Sequence, residues 1–206
     1  MRFDFLTFEF NNMVSIDQLK QLREETGISM IECKKALEEA GGDIERAKEI
    51  LREKGKEMVK GKEGRKTATG IVASYIHPGS RIGVLLELHC ETDFVAKSEE
   101  FKKLAHEICL QIAAMRPLFV KSEDIPEEFL DGERKIYQKQ FEDSGKPQKI
   151  IDQIIEGKLE KYKKEISLLA QPWVKDESKT IKDLIDEYIA KLGEKIEIAK
   201  FTRYEI

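Results

Sequence analysis

The sequence predicts an α+β protein: a small three-helix bundle, a linker, then a small antiparallel sheet covered by helices. Three observations carry that prediction. Small polar caps and glycine stops alternate from Ser15 to Gly55. Apolar residues fall on every second position from Ile82 to Cys90, the period of a strand with one buried side. A continuous helical stripe then runs from Ile150 to Leu169.

In the bundle, Ser15 with Gln18 and Ser29 with Glu32 have the spacing of capping boxes, in which each side chain satisfies the other residue's orphan N–H. Asp43 caps the third helix, and Gly27, Gly41-Gly42 and Gly55 supply the stops. Ile16, Leu19 and Leu22, then Met30, Cys33, Leu37 and Ala40, then Ile44, Ala47 and Leu51 form three stripes facing one small core. About 40 residues is near the lower limit for an independent fold, so this core tolerates few errors.

From Lys54 to Lys66 the pattern breaks, with Gly55, Gly61 and Gly64 set among Lys54, Lys56, Lys60, Lys62, Arg65 and Lys66. The cluster reads as a loosely helical connector, because Glu57 and Glu63 interrupt the charge and no aromatic is interleaved for base stacking. A phosphate or RNA patch is the competing reading.

Thr69 to Ile76 and Ile82 to Cys90 are joined through His77-Pro78-Gly79-Ser80, whose Pro-Gly suits the inner positions of a type II turn. That predicts a β-hairpin. Ser98, followed by Glu99 and Glu100, opens a helix toward Met115. More helices occupy Glu127 to Ala170, ended by Gln171-Pro172-Trp173. Thr180 with Asp183 caps a last helix, Gly193 stops it, and Ile196 to Tyr204 reads as a closing strand.

The 206 residues carry a net charge of -4. That argues against a dedicated nucleic-acid binder, which carries a basic excess. No apolar run reaches the roughly 18 residues of a membrane helix, and residues 1–12 lack the features of a signal peptide. The expectation is a cytoplasmic chain with no membrane contact. Three cysteines far apart form neither a disulfide framework nor metal knuckles.

Catalytic chemistry finds little to build on. His89 and Cys90 are strand neighbours and point to opposite faces. Cys33 and Cys90 fit core stripes, and only His106 and Cys109 could share a helix face. Two ligands do not make a zinc site. No glycine-lysine pair has the spacing of a phosphate-binding loop. The chain is therefore expected to be no enzyme, to use no cofactor or metal, and to bind no nucleotide directly.

One segment stands apart. Glu91-Thr92-Asp93-Phe94-Val95 lies between a half-buried strand and a helix, where the chain turns at the surface. Two placements of its aromatic fit. Phe94 folds under the helix as a core anchor while Asp93 makes a turn bond, or Phe94 is presented to another protein as an apolar wedge beside Asp93. The cost of exposing a large apolar side chain favours the first.

Two stretches carry a resemblance. Leu22-Arg23-Glu24-Glu25-Thr26-Gly27-Ile28-Ser29-Met30-Ile31-Glu32-Cys33-Lys34-Lys35-Ala36-Leu37 and Glu87-Leu88-His89-Cys90-Glu91-Thr92-Asp93-Phe94-Val95-Ala96-Lys97 resemble the two signatures of the translation elongation factor Ts family, in the family's order. Gln171 to Asp176 and Phe201 to Glu205 resemble its weaker C-terminal patterns, and His89 departs from the usual Asn. The resemblance extends from about Met13 to the end and is to the short form, without a duplicated core half. It implies four parts: an extension or mis-assigned start over 1–12, a ubiquitin-associated-like module over 13–55, a basic linker over 56–68, and a dimerisation-type core over 69–206.

The implied function is guanine-nucleotide exchange on elongation factor Tu, in its GDP-bound and nucleotide-free states. Thr92, Asp93, Phe94 and Val95 would be a wedge that dislodges the partner's magnesium ion and phosphate loop. Leu22, Arg23, Thr26, Gly27 and Met30 would dock the N-terminal module on the partner, although Leu22 and Met30 also sit in core stripes. The resemblance further implies a homodimer as an available state. A protein-binding adaptor without exchange activity is the alternative.

Overall fold

The computed structural model describes residues 14–142 and 144–206, so the segment expected over 1–12 lies outside the described residues. The chain divides into two compact units. Of the described residues, one unit takes those up to Gly64 together with Ile189–Gly193, and the other takes those of Arg65–Tyr188 and Glu194–Ile206.

The first unit holds the expected bundle: α1 (Ile16–Thr26), α2 (Met30–Glu39) and α3 (Ile44–Lys60). The Ser15 box is complete, the Gln18 N–H donating to Ser15 Oγ at 3.0 Å and the Ser15 N–H to Gln18 Oε1 at 3.1 Å. At Ser29 only half of it forms. Ser29 Oγ accepts the Glu32 N–H, while the Glu32 carboxylate turns to Lys35 at 2.9 Å. Leu22, Cys33, Ala36, Leu37, Ala47, Ile50 and Leu51 make the buried core, each large aliphatic contributing about 1.5–3 kcal/mol.

Gly55 does not stop α3. The helix continues to Lys60 and is closed by Gly61, which takes five residues from the expected 56–68 connector. Gly55 lacks the positive φ of a stop, and one interior glycine costs a helix only about 1 kcal/mol. The basic residues there serve the fold: Lys54 pairs with Glu39, the buried Lys62 donates to the Gly193 carbonyl, and Arg65 pairs with Glu91.

The second unit is built on an antiparallel sheet of β1 (Thr69–Ile76), β2 (Ile82–Cys90) and β5 (Glu197–Glu205), with β2 in the middle. In the β1–β2 turn the Ser80 N–H donates to the His77 carbonyl at 2.9 Å, and Gly79 adopts the positive φ of 92° that a type II turn demands. Val84, Leu86, Leu88 and Cys90 alternate inward along β2 and are buried. The helix α5 (Glu99–Met115) covers that face, burying Phe101, Leu104, Ala105, Ile108 and Ile112.

The opposite sheet face stays open. Val72, Ile76, Leu85 and Tyr204 are exposed on it, with Ile76 opposite Gly83 and Gly83 opposite Tyr204. Helices α6 (Glu127–Phe141) and α7 (Gln148–Ile166) pack on each other as a hairpin. Of α7's stripe, Ile155, Leu159 and Ile166 are buried while Ile150 is exposed.

A two-stranded ribbon, β3 (Pro172–Trp173) with β4 (Asp176–Thr180), follows where the sequence reading had only a helix end. Buried Gln111 ties it down, donating to Gln171 Oε1 at 3.1 Å and to the Pro172 carbonyl at 3.0 Å and accepting the Val174 N–H at 2.9 Å. Thr180 and Asp183 then cap α8 (Ile181–Leu192) reciprocally, the Thr180 hydroxyl donating to Asp183 Oδ2 and the Asp183 N–H to Thr180 Oγ1.

Candidate functional site

The tip after β2 is a one-turn helix, α4 (Asp93–Ala96), entered through a sharp bend at Glu91 and Thr92. Thr92 caps it, its hydroxyl accepting the Val95 N–H at 3.4 Å and its carbonyl the Ala96 N–H at 3.1 Å. One turn of helix offers one inward side. Val95 and Ala96 take it, 5% and 4% exposed, so Phe94 is turned outward and stands 86% exposed. This overturns the core-anchor expectation for Phe94.

Asp93 is braced from β1 and from the C-terminal end of its own turn. The Thr69 hydroxyl donates to Oδ1 at 2.7 Å, and Lys97 Nζ lies 3.2 Å from Oδ2. Thr69 first and Lys97 next hold its carboxyl below the ordinary carboxylate range, so Asp93 is an anion at neutral pH. An exposed apolar ring and an anion held by Thr69 and Lys97 thus stand as consecutive residues on the turn that follows β2.

The bend itself is held from the loop after α8. Glu194 Oε2 accepts the Glu91 N–H at 3.1 Å and the Thr92 N–H at 3.0 Å, while Thr92 Oγ1 donates to Glu194 Oε1 at 2.6 Å. Glu91 answers in kind: its Oε1 accepts the Lys195 N–H at 2.6 Å, and Arg65 Nη1 donates to its Oε2 at 3.2 Å. Sequence reading gave Glu91, Arg65 and Thr69 no bracing role at the tip and passed over Glu194 altogether. Partners more than 100 residues apart, as Thr92 and Glu194 are, leave no periodic signal; the only local cue was an acid after the Gly193 stop.

The other predicted partner-binding residues cluster at the α1–α2 loop in the first unit. Arg23 and Gly27 are exposed, and Met30 is 37% exposed. Gly27 takes a φ of 68°, its N–H donating to the Arg23 carbonyl at 2.8 Å. Thr26 Oγ1 donates to the Leu22 carbonyl at 2.7 Å and accepts the Ile28 N–H at 3.3 Å. Leu22 is fully buried in the bundle core, so its side chain supports this surface and does not form it.

The thiols do not assemble into a reactive site. All three are buried, and burial pushes Cys90 up to about 11 and Cys109 up to about 12, far from a thiolate at neutral pH. His106 is exposed on α5 while Cys109 is wholly buried, so the two do not share a face. Among the described residues no group of acids, histidines and cysteines is placed to hold a metal ion, and no helix is long and apolar enough to cross a membrane.

With this geometry in view, the comparisons agree with one another. A family model described as Elongation factor TS matches residues 9–206. The chain is 53% identical over 193 residues to an elongation factor Ts from Thermotoga petrophila, covering 94% of this chain and 96% of the relative. One from Coprothermobacter proteolyticus is also 53% identical over 193 residues, covering 94% and 98%. A third, from Desulforamulus reducens, is 50% identical and covered over 89% of its length. A family model matched over nearly the whole chain and relatives about half identical over most of both lengths lead to one conclusion: the chain belongs to the elongation factor Ts family, and its role lies in translation elongation.

Proposed function

We propose that the chain is the guanine-nucleotide exchange factor for elongation factor Tu and that the α4 tip is its working end. The observation that carries this reading is the exposure of Phe94 on a tip whose Thr92 and Asp93 side chains are both held by hydrogen bonds. Exposing a whole phenyl ring costs the free protein about 2 kcal/mol of burial, which a partner pocket returns on docking. Asp93 sets a fixed negative charge beside it, suited to displacing groups that hold the partner's magnesium ion and the phosphates of GDP.

No covalent step is needed, so the protein is not an enzyme in that sense and needs no cofactor. By linkage, a factor that binds the nucleotide-free partner more tightly than the GDP-bound one weakens GDP binding by the same ratio. Each 1.4 kcal/mol or so of strain that lifts the bound state toward release speeds GDP loss about tenfold. GTP then displaces the factor. This chain itself touches neither nucleotide nor membrane in this scheme, and acts in the cytoplasm.

The N-terminal module supplies affinity through Arg23, Thr26, Gly27 and Met30, with Leu22 as their internal support. A second copy of the chain covers the open sheet face, whose Val72, Ile76, Leu85 and Tyr204 form an apolar surface on a core with one three-stranded sheet.

The test is release of a fluorescent GDP analogue from purified elongation factor Tu with catalytic amounts of this protein. Wild type is expected to accelerate release, and Phe94→Ala and Asp93→Ala to lose about tenfold or more of that acceleration while staying folded. Binding without acceleration by wild type would instead make the protein an adaptor.

A further inference from the structure

We propose that Glu194 is the positioning residue of the exchange tip: its carboxylate, delivered from the loop between α8 and β5, fixes the Thr92–Phe94 turn in the geometry that drives GDP release. The proposal rests on the exchange-factor reading above and adds to it a residue outside both signature stretches.

Glu194 spends both carboxylate oxygens on the tip. Oε2 takes two successive backbone N–H groups, those of Glu91 and Thr92, and Oε1 takes the Thr92 hydroxyl. Those three bonds fix the residues immediately before α4, and with them the direction of the one turn that carries Phe94. Beyond the Thr92 cap, the two braces on Asp93 and the buried Val95 and Ala96, the four-residue α4 turn has no helical length of its own to order it. Isolated helices of a few residues are unstable, because nucleation fixes several dihedrals for one bond. Hydrogen bonds to a charged acceptor are worth roughly twice neutral ones, so this carboxylate supplies the order that the short helix cannot generate.

The clamp is reciprocal, which makes it a positioning device and not a single tether. Glu91, in the bend just after β2, accepts the Lys195 N–H on its Oε1 at 2.6 Å, while Glu194, one residue before Lys195, reaches the other way. Two bends of the chain therefore cap each other's backbone. Neither can tilt without breaking bonds on both sides.

A wedge works only if it does not yield. Strain delivered to a partner's magnesium site is relaxed if the Phe94 turn can swing away, whereas affinity drawn from other surfaces survives such slackness. Loss of Glu194 should therefore lower the maximal rate and leave docking largely in place.

The experiment uses the full chain and saturation curves for release of the fluorescent GDP analogue from elongation factor Tu. Glu194→Ala is expected to lower the maximal acceleration about tenfold or more, with the half-saturating concentration changed less than about threefold. Glu194→Gln is expected to stay within about twofold of wild type, because its amide oxygen can accept both N–H groups while its amide nitrogen donates to Thr92 Oγ1. Hydrogen exchange over residues 91–96 should quicken in Glu194→Ala and not in Glu194→Gln, with the amides of β1 and β2 unchanged, which separates a slack tip from a misfolded core.

A normal maximal rate in Glu194→Ala overturns the proposal, as does a Glu194→Gln variant that falls as far as the alanine. Phe94→Ala is run alongside. If it loses acceleration and Glu194→Ala does not, the wedge stands and the clamp falls; if neither loses any, the exchange reading of the tip falls and takes the clamp with it.

Discussion

At Gly70 the β1 backbone lies so close to β2 that no side chain fits. A Cβ there would press into the Leu88 carbonyl oxygen and come within 2.9 Å of His89 Cα. Gly70→Ala must push the central strand of the sheet, and is expected to cost about 1–3 kcal/mol, read as a lower urea midpoint. The neighbouring Thr69 braces Asp93, so the same shift reaches the tip. A glycine inside a strand does signal close approach in the sequence, but not what approaches. Phe94 shows the same limit. Its chemistry was legible, while its direction depended on Val95 and Ala96 filling the inward side of a single turn, a choice made by the core beneath and not by the local pattern.

Elements were far more legible than single side chains, because caps and periodicity act locally. The strands at Thr69–Ile76 and Ile82–Cys90 and the caps at Ser15, Asp43, Ser98 and Thr180 all stand where the pattern puts them. The exceptions are elements whose existence is tertiary. The β3–β4 ribbon depends on Gln111 from α5, and the last turns of α3 outrun a glycine that only context can make helical. Two other helical glycines test this scale. Gly132 in α6 and Gly157 in α7 are helix-interior, without positive φ, and a Cβ at either meets nothing within 4 Å. Gly132→Ala and Gly157→Ala should each add about 1 kcal/mol of stability, seen as a rise in Tm, without touching nucleotide release.

The whole molecule carries both charge signs in near balance, so specificity must come from shaped surfaces and not from a general field. The open sheet face is one such surface. If a second copy covers it, Leu85→Glu combined with Tyr204→Glu should turn a dimer into a monomer in sedimentation equilibrium, because two charges would be buried without partners at the new interface. A wild-type chain that sediments as a monomer across micromolar concentrations would remove the second copy from the scheme.

The bond between Thr92 and Glu194 spans 102 residues, with α5, α6, α7, the β3–β4 ribbon and α8 all lying between its two ends. On the ribosome the α4 turn bearing Phe94 emerges long before Glu194, and contacts of such sequence separation close late in folding. The bend at Glu91 and Thr92 is therefore expected to lack this clamp until Glu194 has been made and has docked. A fragment that ends before Glu194 would carry the aromatic without the carboxylate clamp, and on the proposed exchange reading it should release GDP from the partner correspondingly slowly.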